Sequence, residues 1–145
     1  LIPVIRAVCL SFNNGLKVDA IYGTKKLQKN MEMKFKRTMF VTVGTTSFDC
    51  LISSVSTNAF IETISALGYS RLVIQYGRGA KPTLDNVVDT TTKNLVEVES
   101  YRFKPSLQPD MEAASIIISH AGAGSIMECL NLRKRCVVVI NDSLM

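Results

Sequence analysis

From Met39 onward, short β-branched runs alternate with longer segments whose apolar residues fall at helical spacing. Phe40-Val41-Thr42-Val43 ends at Gly44, the pattern of a buried strand running into a turn. Leu51, Ile52, Val55, Ile61, Ile64 and Leu67 then predict a helix, with Ser47 or Asp49 placed to cap it and Gly68 to stop it. Ser56-Thr57-Asn58 inside that span allows a break. Arg71 to Tyr76 reads as a second strand closed by Gly77-Arg78-Gly79, and the Thr- and Asp-rich stretch 80–94 as a long loop. Leu95 to Val98 is a third strand, nearer an edge because it alternates with a polar position. Ser106 to Ala114 forms a short helix with Pro109 in its first turn. Ser115 to Ile118 is a continuously apolar strand, Ser125 to Leu132 a helix, and Cys136 to Ile140 a last buried strand.

Strands separated by helices of this length build right-handed βαβ units. The expected fold is therefore α/β: a Rossmann-like parallel sheet with helices on both faces. A length of 145 residues fits one domain, and 47% hydrophobic with 20% charged residues is a globular composition. No run approaches the roughly 20 apolar residues of a membrane span.

Charge divides the chain. Residues 1–38 carry eight Lys/Arg against Asp19 and Glu32, a balance of +6, whereas 39–145 carry nine against ten. Residues 1–38 are thus expected to be a basic leader, poorly ordered or not native, ahead of a near-neutral domain at 39–145. That leader is read as solvated, and no nucleic-acid partner is expected. Cys9, Cys50, Cys129 and Cys136 form no Cys-x-x-Cys pair, and His120 is the one histidine, so no metal site is expected. Unpaired cysteines fit a reducing, cytosolic compartment.

Ligands of open α/β sheets bind beyond the carboxyl ends of the strands. Two such ends are rich in small residues: Gly44-Thr45-Thr46-Ser47 and Ser119-His120-Ala121-Gly122-Ala123-Gly124-Ser125. The second enters a helix directly, where backbone N–H groups and the helix dipole favour an oxyanion. A phosphate or diphosphate is the ligand it suits. Glu128 lies one helical turn beyond Ser125, placed to accept hydrogen bonds from a ribose diol. The segment carries neither Gly-x-Gly-x-x-Gly nor a terminal Gly-Lys-Ser/Thr, which argues against a nicotinamide-dependent oxidoreductase.

The spacing His120, Gly122, Ser125, Glu128 resembles the donor-binding box of GT-B glycosyltransferases that use UDP-sugars. Phe40 to Asp49, Ile74 to Gly79, Tyr101 to Lys104, Ser119 to Ser125 and Val137 to Asn141 carry the likeness in order over 39–145. Within the superfamily the chain is similar to the family 28-like catalytic subunits of UDP-GlcNAc transferases acting on dolichol-diphosphate-GlcNAc. This resemblance implies the C-terminal, donor-binding half of a GT-B enzyme. Gly44, Thr45 and Thr46 would help hold the diphosphate, and Phe103 and Lys104 would border the uracil. Gly122, Ala123, Gly124 and Ser125 would cradle the phosphates, with His120 alongside and Glu128 on the ribose. It further implies inverting transfer of the second GlcNAc of the N-glycan precursor, with UDP-GlcNAc as donor and no cofactor or metal. A membrane-anchored partner would bind the acceptor and recruit the chain from the cytoplasm to the cytosolic face of the endoplasmic reticulum. The sugar-reading segment would begin just after Met145, and no catalytic base is assigned here. A truncated, non-catalytic protein that occupies the partner is the alternative.

Overall fold

The computed structural model describes the backbone of residues 7–10 and residues 37–83 and 96–141 in full. Their strands form one six-stranded sheet in the order β1-β6-β5-β2-β3-β4. The strands are β1 (Ala7–Leu10), β2 (Arg37–Thr42), β3 (Tyr69–Gln75), β4 (Glu97–Tyr101), β5 (Ile116–His120) and β6 (Cys136–Val139). β2 to β6 run parallel, and β1 pairs antiparallel with the outer edge of β6. The helices among these residues are α1 (Asp49–Val55), α2 (Asn58–Ala66), α3 (Gln108–Ala113) and α4 (Ala123–Asn131).

Alternation along β2 explains the layers. Met39, Val41 and Val43 point into a core shared with Leu51, Ile52 and Val55 of α1 and Ile61 and Ile64 of α2. Phe40 points the other way, into a second core with Met111 of α3, Cys129 of α4, Ile117 and Cys136. Both faces of β2 are therefore covered, and Phe40 and Val41 are fully buried. Each large side chain buried this completely contributes roughly 1.5–3 kcal/mol.

Several boundaries differ from the sequence pattern. The long helix is two, because Thr57 leaves helical geometry and its side chain caps Phe60 N–H at 3.2 Å. The third strand sits farther along, at Glu97–Tyr101, since its register follows its backbone pairing with Arg71 to Gln75. As expected of an edge, β4 pairs with β3 alone among the described strands. α4 begins at Ala123 with Gly122 as its N-cap, two residues before Ser125. Within 1–38, where no element was expected, Ala7–Leu10 is a strand and β2 already starts at Arg37. Most of the anticipated 80–94 loop, residues 84–94, lies outside the described residues. No helix among those residues is long and apolar enough to cross a membrane.

Candidate functional site

The sheet order reverses direction at β2. From β2 the chain passes through α1 and α2 to β3 on one side, while β5 lies on the other. Such a switch point opens a crevice above the carboxyl ends of the two parting strands, because their connections leave to opposite sides. The loops over that crevice are Gly44-Thr45 after β2 and the Ala121-Gly122 link between β5 and α4. Between them lies a cleft of about 440 Å³ lined by Gly44, Thr45, His120, Gly122, Gly124, Ser125 and Glu128.

The start of α4 gives the cleft its chemistry. The first helical bond runs from Ile126 N–H to the Gly122 carbonyl, and no side chain caps the end. The N–H groups of Ala123, Gly124 and Ser125 therefore have no partner within the helix and add to its positive end. Three amides at a helix start suit an anionic oxygen cluster.

His120 closes the floor. A Cβ built on Gly44 would stand 2.8 Å from its Cε1, and one on Gly122 would stand 2.3 Å from Nε2. The imidazole thus occupies the space both glycines leave, and Gly44 needs its φ of +62° to pass beside it. Burial lowers the His120 pKa below its ordinary value, against a smaller opposing effect of the Thr42 backbone. Nδ1 is buried without a hydrogen-bond partner.

Of the other residues singled out by sequence, Ala123 is the first residue of α4 and Thr46 is tied into the protein through its backbone; neither lines the cleft. Thr46 O accepts Arg78 N–H at 2.9 Å, and its N–H donates to Val43 O. Phe103 is exposed beyond β4. Lys104 is drawn into a charged network: Nζ lies 3.0 Å from Asp110 Oδ2, 3.4 Å from Glu99 Oε1 and 3.9 Å from the Tyr101 ring centre. Partial desolvation pulls the Lys104 pKa down, but the Asp110 and Glu99 carboxylates outweigh it and hold it above the ordinary value. Burial, then the hydrogen bond to Asp110, push Tyr101 up. Neither Phe103 nor Lys104 lines the cleft itself. Among the described residues, no group of three or more His, Cys, Asp or Glu is placed to hold a metal ion.

The sequence pattern overlooked the residues that hold the rim together. Gln75 is 1% exposed at the end of β3, where a buried carboxamide needs partners on every polar atom. A polar residue closing the apolar run Leu72-Val73-Ile74 was the available signal. Neither Ser47 nor Asp49 caps α1, whose N-cap is Phe48 with no side-chain bond; Asp49 Oδ1 instead accepts Ala80 N–H at 3.0 Å, and Asn141 Nδ2 donates to Ser47 O at 3.3 Å.

The sequence model of the glycosyltransferase family 28 C-terminal domain matches residues 38–145. The UDP-N-acetylglucosamine transferase subunit ALG13 of Homo sapiens is 47% identical over 107 residues, 74% of this chain and 9% of that protein. The Yarrowia lipolytica protein of the same name is 35% identical over 107 residues, covering 74% of this chain and 53% of its own length. The chain therefore spans about a tenth of the human relative and about half of the yeast one. An NMR solution structure of ALG13 superposes with a TM-score of 0.62 at 27% identity, over 78% of this chain and 70% of that one.

Proposed function

The chain belongs to the glycosyltransferase family 28 C-terminal domain family, and on that premise we propose that it is the donor-binding part of a UDP-GlcNAc-dependent N-acetylglucosaminyltransferase. The observation that carries this reading is the uncapped first turn of α4, opening onto a cleft at the sheet's switch point. The diphosphate of the donor sits against the Ala123, Gly124 and Ser125 amides. Thr45 flanks it from the β2 loop, with Thr46 behind, and the Ser125 hydroxyl adds a donor. Glu128, one turn along the same helix, accepts from the ribose hydroxyls. The uracil lies toward the segment after β4 that carries Phe103, and Lys104, held by its carboxylates, fixes that segment in place. The names of the ALG13 relatives support a UDP-N-acetylglucosamine donor.

In this reading an acceptor hydroxyl attacks the anomeric carbon of GlcNAc from the side opposite UDP, inverting it. The C–O bond to the β-phosphate breaks, and the departing diphosphate gains charge where the helix start is already positive. Those amides replace a metal ion in this role, so transfer is expected to persist in chelator. The acceptor is dolichol-diphosphate-GlcNAc, held by a membrane-anchored partner subunit on the cytosolic face of the endoplasmic reticulum. The catalytic base comes from outside the residues named here.

Calorimetric titration of the chain with UDP tests the donor site, and transfer from UDP-GlcNAc to dolichol-diphosphate-GlcNAc with the partner present tests the reaction. Saturable binding that is lost with CDP, together with partner-dependent transfer, is the expected result. Partner binding with no response to UDP would instead support a non-catalytic interaction protein.

A further inference from the structure

We propose that Gln75 is a positioning residue that clips the diphosphate side of the donor cleft to its base side. This rests on the donor-site reading above. Gln75 ends β3, the strand between β2 and β4, so its side chain can reach the loops leaving both neighbours. Its Oε1 accepts from Thr42 Oγ1 at 2.7 Å and from Val43 N–H at 3.2 Å. Its Nε2 donates to Gly44 O at 2.7 Å and to Arg102 O at 2.8 Å. One buried carboxamide thereby uses all its hydrogen-bonding positions and spans two rim loops that are not adjacent in the sheet. Gly44 lines the cleft, and Arg102 immediately precedes Phe103. Thr42 completes the circuit, since its Oγ1 also accepts Gly44 N–H at 3.1 Å.

A clip of this kind matters most to a ligand that touches both loops at once. UDP spans them, whereas uridine and pyrophosphate each engage one. Holding two subsites at fixed separation makes the second contact effectively intramolecular, and that advantage exists for the bridging ligand only. Gln75→Glu keeps the side-chain length and the Oε1 acceptor but can donate to at most one of the two carbonyls, and only when protonated. Thr42→Val reaches the same circuit from the other end and leaves the amide in place.

The test is NMR titration of wild type and both variants with UDP, uridine and pyrophosphate, below the melting temperature of each. Breaking the bridge between the two carbonyls in Gln75→Glu should weaken UDP about tenfold, and uridine and pyrophosphate less than about twofold. Thr42→Val should show the same selectivity at smaller amplitude, and it carries the test if Gln75→Glu does not fold. Equal weakening of all three ligands, or unchanged UDP affinity, overturns the clip while the donor site stands. A wild-type chain that binds none of the three overturns the donor site itself, and the clip with it.

Discussion

Two glycine-rich turns crown the same rim of the sheet and do opposite things. Gly77-Arg78-Gly79 follows β3, and Gly122-Ala123-Gly124 follows β5. In the first, the protein fills the space: Gly77 has φ +58°, and a Cβ there would stand 2.3 Å from Thr46 O. Arg78 N–H is already given to Thr46 O. In the second, His120 fills the space at Gly122, but a Cβ on Gly124 would meet nothing within 4 Å, and the amides of the first helical turn have no partner in the helix. The same residue type thus lets one backbone segment pack on another in one place and leaves donors exposed to a cleft in the other. Glycine spacing alone does not separate these roles. Accounting for each N–H does.

The largest expected effect tests the closed turn. Gly77→Ala forces a side chain into left-handed backbone and into the Thr46 carbonyl, which should cost about 3 kcal/mol of stability. The shift in the urea unfolding midpoint at unchanged slope measures it. A loss below about 1 kcal/mol would mean that the two loops are not rigidly packed and would erase half of the contrast.

A smaller effect of opposite character is expected at the open turn. Gly124→Ala adds a methyl to a helical position with free space, so stability should rise, by about 0.5 kcal/mol. That methyl projects from a residue lining the cleft, and it should weaken UDP about tenfold by keeping the phosphates off the amides. Melting temperature and calorimetric affinity should therefore move in opposite directions. If affinity is unchanged, the ligand does not approach this turn.

Much of this was legible in the chain because it depends on local pattern. Continuous β-branched runs such as Phe40 to Val43 mark strands covered on both faces, and the small residues after them mark the two loops of the cleft. Seven of the eleven residues singled out line one cavity, since a strand-loop-helix unit places its own residues with few alternatives. What was not legible depends on backbone geometry and on partners brought in from other elements. The start of α4 at Ala123 is set by backbone geometry at Gly122, which no side-chain cap advertises. Lys104 is engaged by Glu99 and Asp110, a network that forms only once the segment after β4 folds back and brings Asp110 of α3 to the Tyr101 hydroxyl. The bridge from Gln75 to Gly44 and Arg102 joins three strand ends, and nothing in a linear run of residues brings these together.

The smallest effect concerns His120, which lies between the Gly44 and Gly122 loops. Its pKa is lowered in the folded chain by burial, so the folded form resists a proton that the unfolded form accepts near 6.5. Above that pH both states are neutral and the full stability is present. As pH falls through 6.5 toward the lower folded value, the unfolded state binds more protons and stability declines. His120→Gln should flatten this part of the profile, and subtracting its curve from wild type removes the carboxylates common to both. Bound pyrophosphate should reverse the sign, because an anion over the imidazole favours its protonated form. The pyrophosphate affinity of wild type, relative to His120→Gln, should then increase between pH 7.5 and pH 6. If the anion leaves the His120 profile untouched, it binds away from the open turn, and the difference between the two glycine turns is one of packing alone.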